Sequence, residues 1–145
     1  MNWCEFIQTL TSEYRFFPPT NIERLSTAED ALGVALPSEL KELLQQSDGI
    51  NGEYSLALVW ALERIQSDNL RFRTYPDFRE LYMPFDPLLF FADAGNGDQF
   101  AFAIRGGQIR STDIYVWNHE DDSRTWVAPS LDKYLEWWLS RKIEI

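Results

Sequence analysis

Two short segments collect the residue types that carry chemistry. Residues 93–98, Asp-Ala-Gly-Asn-Gly-Asp, set two carboxylates and an amide around two glycines, and residues 119–122, His-Glu-Asp-Asp, join the only histidine to three carboxylates. A phosphate cradle needs glycine N–H groups that converge at a helix N-terminus. Gly95 and Gly97 instead lead into Gln99-Phe100-Ala101-Phe102-Ala103-Ile104, which reads as strand. Neither GxGxxG nor GxxxxGK[ST] is present, and Asp93 and Asp98 would repel a phosphate. A calcium loop of the EF-hand kind fails as well, because an oxygen ligand at the third position and a Glu at the twelfth are missing. The reading these residues support is a hairpin loop in which Gly and Asn supply positive φ.

His119 sits between the runs IYVWN and RTWV, where a polar loop through Ser123 is what a hairpin needs. There is no HExxH, and one imidazole beside carboxylates is a thin metal signature. Ser-His-Asp chemistry would have to run through His119, with no GxSxG to place its nucleophile. Two open readings remain for this loop: a solvated turn or protein contact, and a catalytic or metal role. Paired carboxylates for glycoside chemistry are not distinguished by sequence, since twenty-three acidic residues make any chosen pair uninformative. Cys4, the only cysteine, reads as a structural thiol on the polar side of a helical stripe or at its edge and allows neither an intrachain disulfide nor a cysteine-based zinc site. No cofactor, no metal and no catalytic residue is expected.

Composition narrows the partners. The 145 residues hold thirteen basic against twenty-three acidic side chains, a formal net charge of -10, so the mean field repels nucleic acid and anionic membrane surfaces. A basic protein would be steered in. Ten Phe, six Trp and six Tyr supply large apolar faces for a core, with some left for an interface. The N-terminal stretch lacks a basic n-region and a continuous apolar h-region, and no run approaches 18 apolar residues, so a cytoplasmic location is expected.

The elements that must position these segments follow from periodicity. Trp3, Phe6, Ile7, Leu10 and Tyr14 fall on one helical face, predicting a helix over residues 2–14 that Pro18-Pro19 stops. Ser26-Thr27-Ala28-Glu29 matches a capping box, predicting a short helix that Gly33 ends. Pro37 suits the first turn of a third helix, with Leu40, Leu43 and Leu44 buried and Asp48-Gly49 ending it. No strand is expected in the first fifty residues. Thereafter runs at 54–60, 88–92, 99–104, 114–118 and 124–127 predict strands with antiparallel pairing. Residues 62–82 fit a short helix or turn followed by irregular chain. Ser130 caps a final helix whose stripe is Leu131, Tyr134, Leu135, Trp138 and Leu139, while Trp137 points about 100° away, at the stripe's edge or exposed. The fold class is α+β: a single domain over 1–145, with a central, mostly antiparallel sheet flanked by N-terminal helices and a C-terminal helix.

The order of these pieces carries a resemblance. LGVALP, SELKELLQQSDG, FFADAGNGDQFAF, IYVWNHEDD and APSLDKYLEWWL follow one another as in the SUKH superfamily, Smi/Knr-type branch, over residues 22–140. The resemblance implies an α+β fold without shared catalytic residues. It also implies a binding role: bacterial members are mostly immunity proteins that neutralise toxins of contact-dependent or polymorphic secretion systems, many of them nucleases, and some fungal members are regulatory scaffolds. A non-enzymatic immunity protein is therefore the leading expectation, with a cognate toxin, basic in charge, as partner. Its contact residues would be Glu53, Asp93, Asn96, Asp98, Glu120, Asp121 and Asp122. A regulatory scaffold and a carboxylate or His119 hydrolase stand as alternatives, and oligomeric state is left open.

Overall fold

A computed structural model describes residues 1–145. In chain order the elements are α1 (Trp3–Leu10), β1 (Arg15–Phe16), α2 (Ile22–Leu32), α3 (Ser38–Leu44), β2 (Ile50–Asn51), a 3-10 turn (Glu53–Ser55), β3 (Ala57–Val59), α4 (Leu62–Thr74), α5 (Pro76–Leu81), β4 (Leu88–Asp93), β5 (Gln99–Ala103), β6 (Ile114–Trp117), β7 (Arg124–Ala128) and α6 (Leu131–Leu139). The α+β class holds, and the four later strands form an antiparallel meander in the order β4-β5-β6-β7. A second antiparallel sheet, β1-β2-β3, stands beside it.

β4 reads LLFFA without alternation because both of its faces are covered. Phe90 packs against Phe72, Phe85 and Trp117, with ring centroids 5.1 to 5.6 Å away. Phe91 meets Phe102 and Tyr134 at 4.7 and 5.3 Å. Edge and tilted ring pairs of this kind add to the area they bury. Much of the aromatic excess thus lies inside one core of 34 buried residues.

The two sheets meet at an irregularity in β4, where the register shifts between Phe90 and Ala92. Phe91 O accepts from Trp60 N at 2.7 Å. Beside it Asn69, on α4, takes both main-chain groups of Phe90: its Nδ2 donates to Phe90 O at 2.8 Å and its Oδ1 accepts from Phe90 N at 2.8 Å. An amide side chain is one of the few groups that can present a donor and an acceptor to one residue.

Several helix boundaries differ from expectation. α1 ends at Leu10, leaving Arg15 and Phe16 free to pair with Asn51 and Ile50 as β1. α2 begins before the Ser26 capping box, because Asn21 Oδ1 accepts from Arg24 N at 2.9 Å and caps the helix earlier. Glu29 is instead turned to Leu36 N, 2.6 Å, and Lys41, 3.3 Å. Gly33 ends α2 in the left-handed region, as its φ of 70° requires. Asp48-Gly49 does not end α3, which stops at Leu44; Asp48 Oδ1 accepts from Leu62 N at 2.8 Å, at the start of α4. Residues 62–82 are two helices, not irregular chain. α4 buries only Leu62, Ile65 and Asn69, too sparse a stripe to show a helical period.

Candidate functional site

Three connections adjoin at one end of the meander. In the β4–β5 hairpin Ala94 N donates to Asp98 O at 3.0 Å, and Asn96 Oδ1 accepts from Asp98 N at 3.0 Å. Gly95 and Gly97 have φ of 92° and 97°, so the loop is the expected hairpin and its glycines serve the backbone, but Asn96 does not take positive φ and acts through its side chain instead. A second constraint acts at Gly97: a Cβ there would stand 3.0 Å from the His119 ring.

The two aspartates that rim this loop are engaged internally. Arg64 forks onto Asp93 at 2.7 and 2.9 Å, reaches Asp68 at 3.1 Å, and lies 4.0 Å from the centre of the Trp60 ring. Burial opposes the Arg64 charge, yet the hydrogen bonds it donates to Asp93 and Asp68, with their negative charges, outweigh it and hold the guanidinium more strongly protonated. Asp98 is only 3% exposed. Its Oδ1 accepts from His119 N at 3.0 Å and faces His119 Nδ1 at 2.7 Å, tying the β4–β5 hairpin to the β6–β7 loop.

That second loop is closed by Asn118 N donating to Ser123 O at 2.9 Å, and Asp122, at its base beside that closure, has φ of 61°. The Asp122 carboxylate accepts from Trp117 Nε1 at 2.8 Å, Met83 N at 2.9 Å and Arg124 Nη2 at 3.2 Å. Burial would raise its pKa, but the Met83 N–H, the Trp117 indole and Arg124 bring it below the ordinary carboxylate value. Tyr82 adds a hydroxyl that donates to His119 O at 2.9 Å, so the chain after α5 is clamped to this loop. Glu120 and Asp121 point outward, and Asp121 is kept ionised to lower pH first by the Ser123 N–H.

The third connection is the tight turn between β2 and β3. Leu56 N donates to Glu53 O at 3.2 Å, and both central residues are left-handed: Tyr54 at φ 57°, ψ 29° and Ser55 at φ 59°. This is the signature of a type I′ turn, which ordinarily takes Asn-Gly. The left-handed region costs an ordinary L-residue about 1–2 kcal/mol. Tyr54 nevertheless stands 94% exposed. Leu56 links the turn to the hairpin, since its Cδ1 lies 3.5 Å from the Cβ position of Gly95.

Of the seven residues expected at a partner surface, Glu53, Asn96, Glu120 and Asp121 lie exposed on these three adjoining connections, whereas Asp93, Asp98 and Asp122 are engaged by Arg64, His119 and the Trp117–Met83–Arg124 set. The strand expected over 54–60 is confined to Ala57–Val59, and Tyr54, expected as its first residue, lies in the turn instead. The signal available was Tyr-Ser standing in a short turn after Gly52, where hairpin chemistry favours Asn-Gly. Trp138 packs on Phe100 at 5.1 Å, and Trp137, half-buried, meets Trp126 at 6.5 Å and Lys142 at 4.6 Å. No three or more His, Cys, Asp or Glu side chains are grouped so as to hold a metal ion, and no helix is long and apolar enough to cross a membrane.

A family model described as SMI1-KNR4 cell-wall matches residues 22–135, well over half of the chain. The chain belongs to the SUKH family. The SUKH match opens at the first residue of α2 and closes within α6, so it contains all three connections and leaves α1 and β1 before it. Comparison with curated proteins gives no match.

Proposed function

We propose that this SUKH domain is a non-enzymatic, cytoplasmic immunity protein that binds a cognate toxin of a bacterial polymorphic or contact-dependent system and occludes its active surface. The observation that carries the reading is the grouping of Glu53, Asn96, Glu120 and Asp121 at one end of the sheet. None of the seven ion pairs of the chain uses Glu53, Glu120 or Asp121, so these charges face outward uncompensated. A basic active surface, as a nuclease toxin needs to hold its anionic substrate, is the complementary partner. Family membership supports a protein partner, and the net charge of -10 supports a basic one.

Co-expression with the toxin encoded in the adjacent reading frame tests this. Restored growth and a complex on gel filtration are expected; unchanged killing without a complex would reject the reading. Recovery of a housekeeping protein from cytosol, in place of a toxin, would support a regulatory scaffold instead. The steering charges have their own test. Asp121→Lys with Glu120→Lys should slow association about 10-fold at low salt and flatten its salt dependence. An on-rate equal to that of the parent would remove both residues from the encounter surface.

A further inference from the structure

We propose that Tyr54 is the anchor of the partner interface, its ring seated in an apolar recess on a basic protein while the acidic loop tips beside it guide the approach. The inference rests on the immunity reading and names the residue that holds the complex once it has formed.

The turn carries residues that its backbone does not favour. A hairpin of this length is served at least strain by Asn-Gly, and this chain puts Tyr-Ser at both left-handed positions. Burial does not explain the choice, because Tyr54 is 94% exposed. Strained backbone that the fold does not require marks functional positions, and a rigid turn has its ordering cost met before binding. Tyr is also among the residues that dominate binding energy at interfaces, since it offers large area with few rotatable bonds.

The surroundings suit an interface. Behind the turn lies a cavity of about 240 Å³ whose walls include Leu56, Leu58, Trp138 and Ile143 together with the charged Glu53 and Arg141, able to take an apolar side chain of the partner in return. On its flank Gly95 and Gly97 add no side chains that would hold a partner away. Charge complementarity selects the occupant. Glu53 adjoins Tyr54 and, with Glu120 and Asp121, is unpaired; Arg64 and Arg124 are tied to Asp93 and Asp122, which leaves Arg141, beside Glu53 at the cavity, as an unpaired cation against three unpaired carboxylates. A basic protein surface with a recess for one aromatic ring fits this end.

The test uses the full chain and the catalytically disabled toxin from the adjacent reading frame, with binding followed by surface plasmon resonance. Tyr54→Ala should raise the dissociation rate about 30-fold or more while leaving association and melting temperature unchanged. Tyr54→Phe should bind like the parent. Tyr54→Asn with Ser55→Gly should melt higher than the parent and still dissociate as fast as Tyr54→Ala. If Tyr54→Ala dissociates within threefold of the parent, the anchor is overturned and the immunity reading stands. If the parent itself does not bind, the immunity reading fails and the anchor with it.

Discussion

Replacing Asn69 by Leu should destabilise the fold by about 3 kcal/mol and lower its melting temperature by about 10 °C. Leu has the branching and side-chain heavy-atom count of Asn but bulkier methyl groups, so at a site that is 1% exposed some overpacking adds to the cost without being its main part. The loss is in hydrogen bonds. Asn69 Nδ2 donates to Ile65 O at 2.7 Å and to Phe90 O at 2.8 Å, and Oδ1 accepts from Phe90 N at 2.8 Å. Phe90 sits next to the register shift of β4, where the ladder to β5 does not continue evenly. With Leu there, Phe90 N–H and C=O face an apolar side chain, and each buried, unpaired group costs about 1–3 kcal/mol. Thermal denaturation measures the effect. A shift under 2 °C would mean that the seam between the two sheets is held by something other than this amide.

Asp122→Ala is the second large effect, at about 2–3 kcal/mol near neutral pH, because three donors lose one acceptor and the Arg124 guanidinium, still bonded to Pro84 O and Met83 O, loses its countercharge. The pH dependence has a defined sign. The folded carboxylate titrates below its ordinary value, so its contribution is complete above the ordinary carboxylate range. It declines as pH falls from that value to the lower folded one, and is absent in stronger acid. Denaturant titrations of parent and variant should therefore differ most near neutrality and converge in acid. A difference that persists unchanged in strong acid would show that Asp122 acts through loop shape rather than charge. Asp121→Lys, on an exposed side chain one residue away, should leave stability nearly untouched and alter association instead.

Those two neighbours show where sequence reasoning reaches its limit. Glu120, Asp121 and Asp122 look equivalent along the chain, yet Asp122 adopts φ 61° and turns its carboxylate inward to groups as distant as Met83. Asp93 and Asp98 likewise appear as an exposed acidic rim until Arg64 and His119 reach them from other elements. Local pattern was enough for the meander strands, for the glycine-bearing hairpin and for α6 with its Ser130 cap, because periodicity and turn chemistry act within a few residues. β1 and β2 were not legible. Each has two residues, and Phe16 pairs with Ile50 only after the chain has passed through α2 and α3. α4 escaped for a related reason: its place is fixed by Asn69 at β4 and by Arg64 at Asp93, polar ties that a hydrophobic period does not register.

In the proposed complex, the end of the sheet carrying the β2–β3, β4–β5 and β6–β7 connections meets the toxin. Hydrogen exchange of the full chain, alone and with the disabled toxin from the adjacent reading frame, reads this directly. Slowed exchange at residues 53–56, 94–98 and 118–123 is expected in the complex, with α1 and α2 unchanged. Protection confined to α1 and α2, with those three connections exchanging as in the free protein, would contradict it.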